Sequence, residues 1–475
     1  MRARIFAEEN RKWWTLGAVS FGLFMIMLDN TVVNVALPSI QRDLGVGLSE
    51  LQWIVTGYAL TFAAFMLTGG KLADLLGRRR IFVVGLAVFT GASFLCGFAE
   101  SGDVLIGARV VQGIGAALMN PATLSIISAT FPPHQRGLAI GIWAGVSALA
   151  LAIGPLVGGL LTDHLDWSWI FYINVPVGLV AIVASFLLIE ESRDTSEVQR
   201  LDLPGLTSSG IGLFALTYAL IEANTYGWTS GRILASFAVA VAGLALFVVF
   251  ELRGRVPMLD LSLFKSGTFA GANAVVLLVA LAMFGVFFFV SLYMQNILGY
   301  SPVEAGAAFL PMTILIILLA PIAGRTSDRV GSRWLMTAGM MLVGVQLLYF
   351  SRLGVDATFW NLLPGMLVGG VGMSLTMTPG AAAAIRAVPV DKSGVGSAVL
   401  NAFRQVGGSL GIAVMGAIVA HEVAGRRTPE AFVDGFSTAL VVAAAVAFAG
   451  AVIAAGLVRA HRVEPAGEPV PEVAA

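Results

Sequence analysis

Three charged residues stand inside long apolar runs, where a charge needs a reason. Asp29 lies in Leu28-Asp29-Asn30-Thr31-Val32-Val33-Asn34-Val35-Ala36-Leu37-Pro38. A charged side chain at membrane depth costs roughly 3 kcal/mol or more, so an intramembrane carboxyl is a functional candidate, with proton relay a leading use. Burial disfavours the charged form of a carboxyl and so helps it load a proton. The plainer reading is a carboxyl that caps hydrogen bonds with Asn30 or Asn34. Arg109, in Arg109-Val-Val-Gln112-Gly113-Ile-Gly115, is the first intramembrane base. At 1.5 Å per helical residue, Asp29 falls roughly 13 Å below Pro38 and Arg109 roughly 9 Å from the near end of its own run. These similar depths put the two within reach of a salt bridge that protonation would weaken. Otherwise Arg109 holds backbone carbonyls as structural glue.

Arg404, in Asn401-Ala-Phe403-Arg404-Gln405-Val-Gly407-Gly408, is the other intramembrane base. No acid stands inside an apolar run of its own half of the chain. It pairs across the halves, meets a substrate, or serves structure alone. Asn34, Gln112, Asn401 and Arg404 are the residues expected to face a cavity or the gap between halves.

Two further patterns carry mechanics rather than chemistry. The stretch Gly70-Lys-Leu-Ala-Asp74-Leu-Leu-Gly77-Arg78-Arg79-Arg80 returns as Gly324-Arg-Thr-Ser-Asp328-Arg-Val-Gly331-Ser-Arg333, with Gly, Asp, Gly and Arg all displaced by 254 positions. Gly394, Gly411 and Gly416 likewise stand 257 after Gly137, Gly154 and Gly159. The chain is therefore a duplication that covers several helices. The recurrence of the acid among the basic residues favours gating by Gly70, Asp74, Gly77, Arg78, Arg79, Asp328 and Arg333 over simple anchoring. An Asp near a helix N-terminus would gain from the helix dipole, and an Asp–Arg pair at a rim can latch one conformation. In the fifth apolar run, Gly141, Gly145, Gly154-Pro155 and Gly158-Gly159 make one side of a helix small and kinked. Small residues allow close helix approach and a proline is tolerated at membrane depth, so this face reads as a hinge or seal.

Helices must position all of these. The chain is 57% hydrophobic and only 12% charged, well below the roughly 25% charged residues of soluble globules. Fourteen stretches reach the roughly 20 apolar residues needed to cross a bilayer core. They lie near 14 to 36, 51 to 69, 80 to 99, 104 to 127, 138 to 162, 169 to 189, 204 to 222, 231 to 250, 270 to 296, 304 to 323, 334 to 351, 359 to 380, 394 to 420 and 436 to 458. The first is too long for a signal-peptide core and reads as a retained span. Basic residues mark the cytoplasmic side. The tails and the loops after even-numbered runs hold 21 of the 28, the opposite loops hold five, and two lie within runs. Both termini are therefore expected in the cytoplasm. The repeat offset exceeds six helices with short loops, and the excess matches the seventh and eighth runs. The expected organisation is a six-helix bundle over 1–195, two inserted helices over 196–262, a second six-helix bundle over 263–462 and a disordered tail over 463–475.

The equal acidic and basic counts give no nucleic-acid footprint. No Gly-x4-Gly-Lys-Ser/Thr loop or Gly-x-Ser-x-Gly elbow occurs, and the four histidines, His134, His164, His421 and His461, are scattered. No nucleophile, metal or cofactor site is expected. Cys96 is the only cysteine, so the fold rests on packing without an intrachain disulfide.

Over nearly the whole chain, to about Arg462, these motifs resemble one family. Gly70 to Arg80 resembles the cytoplasmic signature of the major facilitator superfamily, and Arg109 to Gly115 its fourth-helix motif. Gly154-Pro155-Leu-Val-Gly158-Gly159 resembles the motif associated with antiporters, and the resemblance implies the tenth run as the helix this face meets. Leu28-Asp29 to Pro38 resembles that of the fourteen-span drug:proton antiporters of the EmrB/QacA type. Ala150 stands where the antiporter motif usually has glycine, and Ser168 where arginine is common. The resemblance implies an all-α major facilitator fold in the bacterial inner membrane and alternating access by two rocking bundles, with no cofactor. It implies export of small hydrophobic compounds, cationic ones included, in exchange for protons by a monomer. A dedicated metabolite exporter and an uptake symporter are the alternatives; a membrane enzyme or sensor lacks the residues it would need.

Overall fold

The computed structural model describes residues 8–193, 202–254, 259–389, 392–424 and 428–459. Apolar sequence in lipid has no water to satisfy its backbone, so each run folds as a helix that satisfies itself. The fourteen spans, numbered in chain order, are Asn10–Leu44, Leu48–Leu76, Arg78–Gly97, Gly102–Thr130, Gln135–His164, Trp169–Leu188 and Leu203–Tyr226, then Gly231–Arg253, Gly267–Asn296, Pro302–Val330, Ser332–Phe350, Phe359–Arg386, Gly394–Val423 and Pro429–Leu457. Most run longer than their apolar stretches. Span one continues through Pro38 to Leu44. The tail expected to be disordered lies outside the described residues.

Spans one to six pack as one bundle and nine to fourteen as another. The inserted pair, seven and eight, pack on each other where Gly212 meets Gly243, and span seven also touches spans two and thirteen. Asn224 donates to the Ile-flanked carbonyl of Ala417 at 2.7 Å, and Trp53 Nε1 to Glu222 at 3.3 Å, so span seven braces both bundles. The loop after the inserted pair is tied to the loop before span thirteen by Lys392, whose ammonium donates to Asp260 at 2.7 Å. Hydrogen bonds from Lys392 and Ser262 push the Asp260 carboxyl down to about 2.

An even number of spans puts the start of span one and the end of span fourteen, the terminal ends of the described chain, at one end of the molecule. The two ends differ. One apolar core joins the bundles at the far end, running from Val35, Leu51 and Ile54 to Phe289, Phe309 and Ile412. The core of the first bundle nearer the termini, from Leu16 to Ile189, contains no residue of the second bundle. The direct hydrogen bonds between bundles follow the same division. Gln52 Nε2 donates to Ile412 O at 2.7 Å and Gln295 Nε2 to Val35 O at 2.8 Å, both toward the far end.

Candidate functional site

Asp29 is fully buried, and three side chains converge on it. Its Oδ2 accepts from Arg109 at 2.5 Å; its Oδ1 accepts from Gln112 at 2.9 Å and from Asn174 at 3.4 Å. Arg109 and Gln112 are three residues apart on span four, so they share a face. The arginine also donates to Gln112 Oε1 at 2.7 Å and to the carbonyl of Ile54 at 3.0 Å, and its guanidinium lies 4.2 Å from the centre of the Tyr58 ring. Hydrogen bonds of this number are what allow a buried ion pair to offset its desolvation. The depth comparison between Asp29 and Arg109 thus leads to a real contact.

Asn174 was not expected. Span six is helical over Trp169–Tyr172 and again over Asn174–Leu188, and the intervening Ile173 keeps right-handed helical backbone at φ −56° and ψ −30°. Pro176 lacks an N–H and so cannot donate to the preceding turn, which interrupts the hydrogen-bond ladder there without breaking the span. Asn174 reaches Asp29 from this turn, and its amide also donates to Ser93 Oγ at 3.1 Å. A single amide two residues before a proline in an apolar run was the available signal.

A cavity of about 210 Å³ lies between the bundles, one layer from this cluster. Its wall takes Asn30, Thr31 and Asn34 from span one, Ser147 and Ala148 from span five, Phe284 and Phe287 from span nine, Ser374 and Met377 from span twelve, and Arg404 and Gln405 from span thirteen. Asn34 and Arg404 are therefore cavity residues, as anticipated, and Gln405 joins them. Gln112 belongs to the buried cluster behind the wall. Asn401 is not in the wall; its amide donates back to Ser397 O of its own helix at 3.0 Å.

The repeated basic stretches are corrected in one respect. Asp74 and Asp328 occupy the last turns of spans two and ten, not a helix N-terminus. The reason is the following glycine: Gly77 at φ +113° and Gly331 at φ +86° end one helix after the acid and start the next. Only glycine adopts such backbone without strain, and at Gly77 any Cβ would also lie 2.6 Å from the Glu191 carboxyl carbon. Asp74 accepts from Arg78 at 2.9 Å; the backbone N–H of Arg79 donates to Glu191 at 3.1 Å, and its side chain donates to Ile189 O at 3.2 Å. Gly70 rests on Pro121 of span four. In the second copy Asp328 pairs with Arg386 of span twelve at 2.9 Å, and Arg333 lies over Trp334. Each of these contacts stays inside its own bundle.

The glycine face of span five is also corrected, because its residues meet different partners. A Cβ on Gly154 would overlap Thr31 Oγ1, and one on Gly158 would lie 2.6 Å from Val32 O, so both pack on span one and not on span ten. Only the far end of the face meets span ten. Gly159 lies against Pro302 and Val303, where a Cβ would be 2.8 Å from Val303 Cα, and Pro155 presents its carbonyl to Gly306. Gly141 and Gly145, nearer the termini, have nothing within 4 Å of a Cβ position.

The sequence model of the Major Facilitator Superfamily matches residues 19–285 and again 273–473. The chain belongs to this superfamily. Two matches on one chain agree with the duplication seen in the glycines. Among its relatives is the puromycin resistance protein pur8 of Streptomyces alboniger, 38% identical over 94% of this chain and 91% of that protein. The multidrug resistance protein Stp of Mycobacterium tuberculosis is 38% identical over 88% of this chain and 77% of that one. The tetracenomycin C resistance and export protein of Streptomyces glaucescens is 37% identical over 87% and 77%. Among solved structures, an auto-inhibited POT family peptide transporter matches with a TM-score of 0.68 at 17% identity, covering 97% of this chain and 99% of that one. A bacterial Spinster homologue in an inward-facing, unoccupied conformation matches at 0.65 and 16%, covering 94% and 96%. These structures share the fold. This major facilitator protein is accordingly a multi-pass transporter of the bacterial inner membrane and not an enzyme.

Proposed function

We propose that the chain exports small hydrophobic, drug-like molecules in exchange for protons, with Asp29 as the proton carrier. The observation that carries this is the position of Asp29: fully buried, ion-paired with Arg109, and immediately behind Asn30 and Thr31 of the cavity wall. Here the carboxylate has all the donors it needs. A rotation of span one or span four that withdraws Arg109 and Gln112 leaves a bare buried carboxylate, which a proton then neutralises. Proton loading and bundle movement are thereby the same event. The relatives named for resistance to puromycin and export of tetracenomycin C support outward movement of hydrophobic compounds.

The charge bias of the loops orients the termini to the cytoplasm, so the joined far end faces outward and this conformation is open inward. In that orientation the Asp74 and Asp328 stretches sit on the separated side, each held within its own bundle, and act as a latch when the bundles meet there. Gly141 and Gly145 then lie where span five closes.

The test is Asp29→Asn in proteoliposomes with an imposed proton gradient. Wild type should accumulate dye against its gradient, and the variant should lose that coupling while retaining energy-independent exchange. Full gradient-driven accumulation by Asp29→Asn would refute the proton role. Dye moving in the same direction as protons would make the protein an uptake symporter.

A further inference from the structure

The Asp29 carboxylate has its donors, but the polar groups of the cavity beside it do not all have partners. Three buried polar atoms around the cavity have no hydrogen-bond partner: Arg404 Nε and Gln405 Nε2 on span thirteen, and Asn34 Oδ1 on span one. Arg404 forms no ion pair among the described residues, and the cavity wall contains no acid. Because Asp29 and Arg109 cancel, the charge facing the cavity is the single positive charge of Arg404. Arg404 is partly buried, with its Nε fully so, and a cation withdrawn from water without a counter-charge is costly, as is each buried polar group without a partner. Two donors on one side and one acceptor on the other describe the missing partner. The rest of the wall, with Phe284, Phe287 and Met377, supplies an apolar, ring-accepting surface.

We propose that the cavity recognises aromatic compounds bearing an acidic oxygen group, a carboxylate, phenolate or enolate, held by Arg404 and Gln405, with a neighbouring hydroxyl donating to Asn34. This rests on the transport reading and names its substrate class. It also reverses the expectation of cationic substrates, since a cation would meet a like charge and no acid. The site is assembled from both bundles, so its occupant contacts both sides of the moving interface.

The test uses two xanthene dyes with the same fused rings, fluorescein as the anion and rhodamine 6G as the cation. Equilibrium binding to the full chain in nanodiscs is read by fluorescence polarisation at mildly alkaline pH without a gradient. Fluorescein should bind the wild type roughly tenfold or more tighter than rhodamine 6G, and Arg404→Gln should remove that preference by weakening fluorescein alone. Arg404→Lys should restore part of it, and Gln405→Leu should weaken fluorescein less than Arg404→Gln does. Thermal unfolding midpoints confirm that each variant is folded. Equal binding of the two dyes by wild type, equal loss of both in Arg404→Gln, or no binding of either overturns the proposal. Proton-driven export of both dyes without charge preference would leave export standing and remove the acid preference. Selective fluorescein binding with no proton-driven movement would do the reverse.

Discussion

The two halves of the chain are copies in backbone and differ in intramembrane charge, an ion pair in the first and a lone cation in the second. At the repeat offset of 254, the counterparts of Asp29 and Arg109 are Met283 and Leu363, so the second bundle has no buried ion pair at the matching places. At the offset of 257, the counterpart of Arg404 is Ser147, and both line the central cavity. The close helix contacts, by contrast, are kept. Gly154 packs on span one as Gly411 packs on Leu281 of span nine, and Gly159 meets the start of span ten as Gly416 meets Gln52 near the start of span two. Even the bridge between bundles is paired: Gln52 donates to Ile412 O on one side, while on the other Gly306 packs against the Pro155 carbonyl. The close packing is common to both halves. On the proposed mechanism a charge that carries the proton is needed only once, and each extra charge at membrane depth costs stability.

The strongest way to break this comparison is to exchange the two intramembrane arginines, Arg109 buried and Arg404 partly buried, for leucine. Arg109→Leu leaves Asp29 buried without its counter-charge and should destabilise the protein by about 3–5 kcal/mol, with export lost. Arg404→Leu removes a cation that has no partner and should be neutral or stabilising. Thermal unfolding in detergent separates them, and equal losses would show that Arg404 is as well satisfied as Arg109.

A smaller effect is expected along span five. Gly158→Val drives a side chain into Val32 O and should cost about 1–3 kcal/mol by overpacking and stop transport of every dye. Gly141→Val meets open space in this conformation, so stability should hold while turnover falls as the bundles fail to close. Equal unfolding midpoints for both variants would argue that the two ends of span five pack alike.

The smallest difference should lie between the two copies of the proposed latch. In the first, Arg78 follows Asp74 by four residues and pairs with it; in the second that position is Ser332, and Asp328 reaches instead to Arg386, with its side chain 65% exposed against 26% for Asp74. Exposed pairs contribute roughly 0–1 kcal/mol. Asp328→Asn should therefore slow dye export less than Asp74→Asn, with dye affinity unchanged in both. A larger effect at Asp328 would move the latch to the second bundle.

Legibility followed the helix axis. Position along a span is sequence number times a fixed rise, so the fourteen spans, the duplication and the common depth of Asp29 and Arg109 could be read from residues alone. Rotation about the axis and the identity of the neighbour could not, because several helices compete for each face. Residue number alone therefore does not bring Asn174 to Asp29, nor does it show that Gly154 and Gly158 pack on span one and not on span ten. It is also why Arg404 is legible in the sequence as an intramembrane cation, while only the tertiary structure, by bringing Asn34 and Gln405 to the same cavity and no acid with them, decided what it lacks.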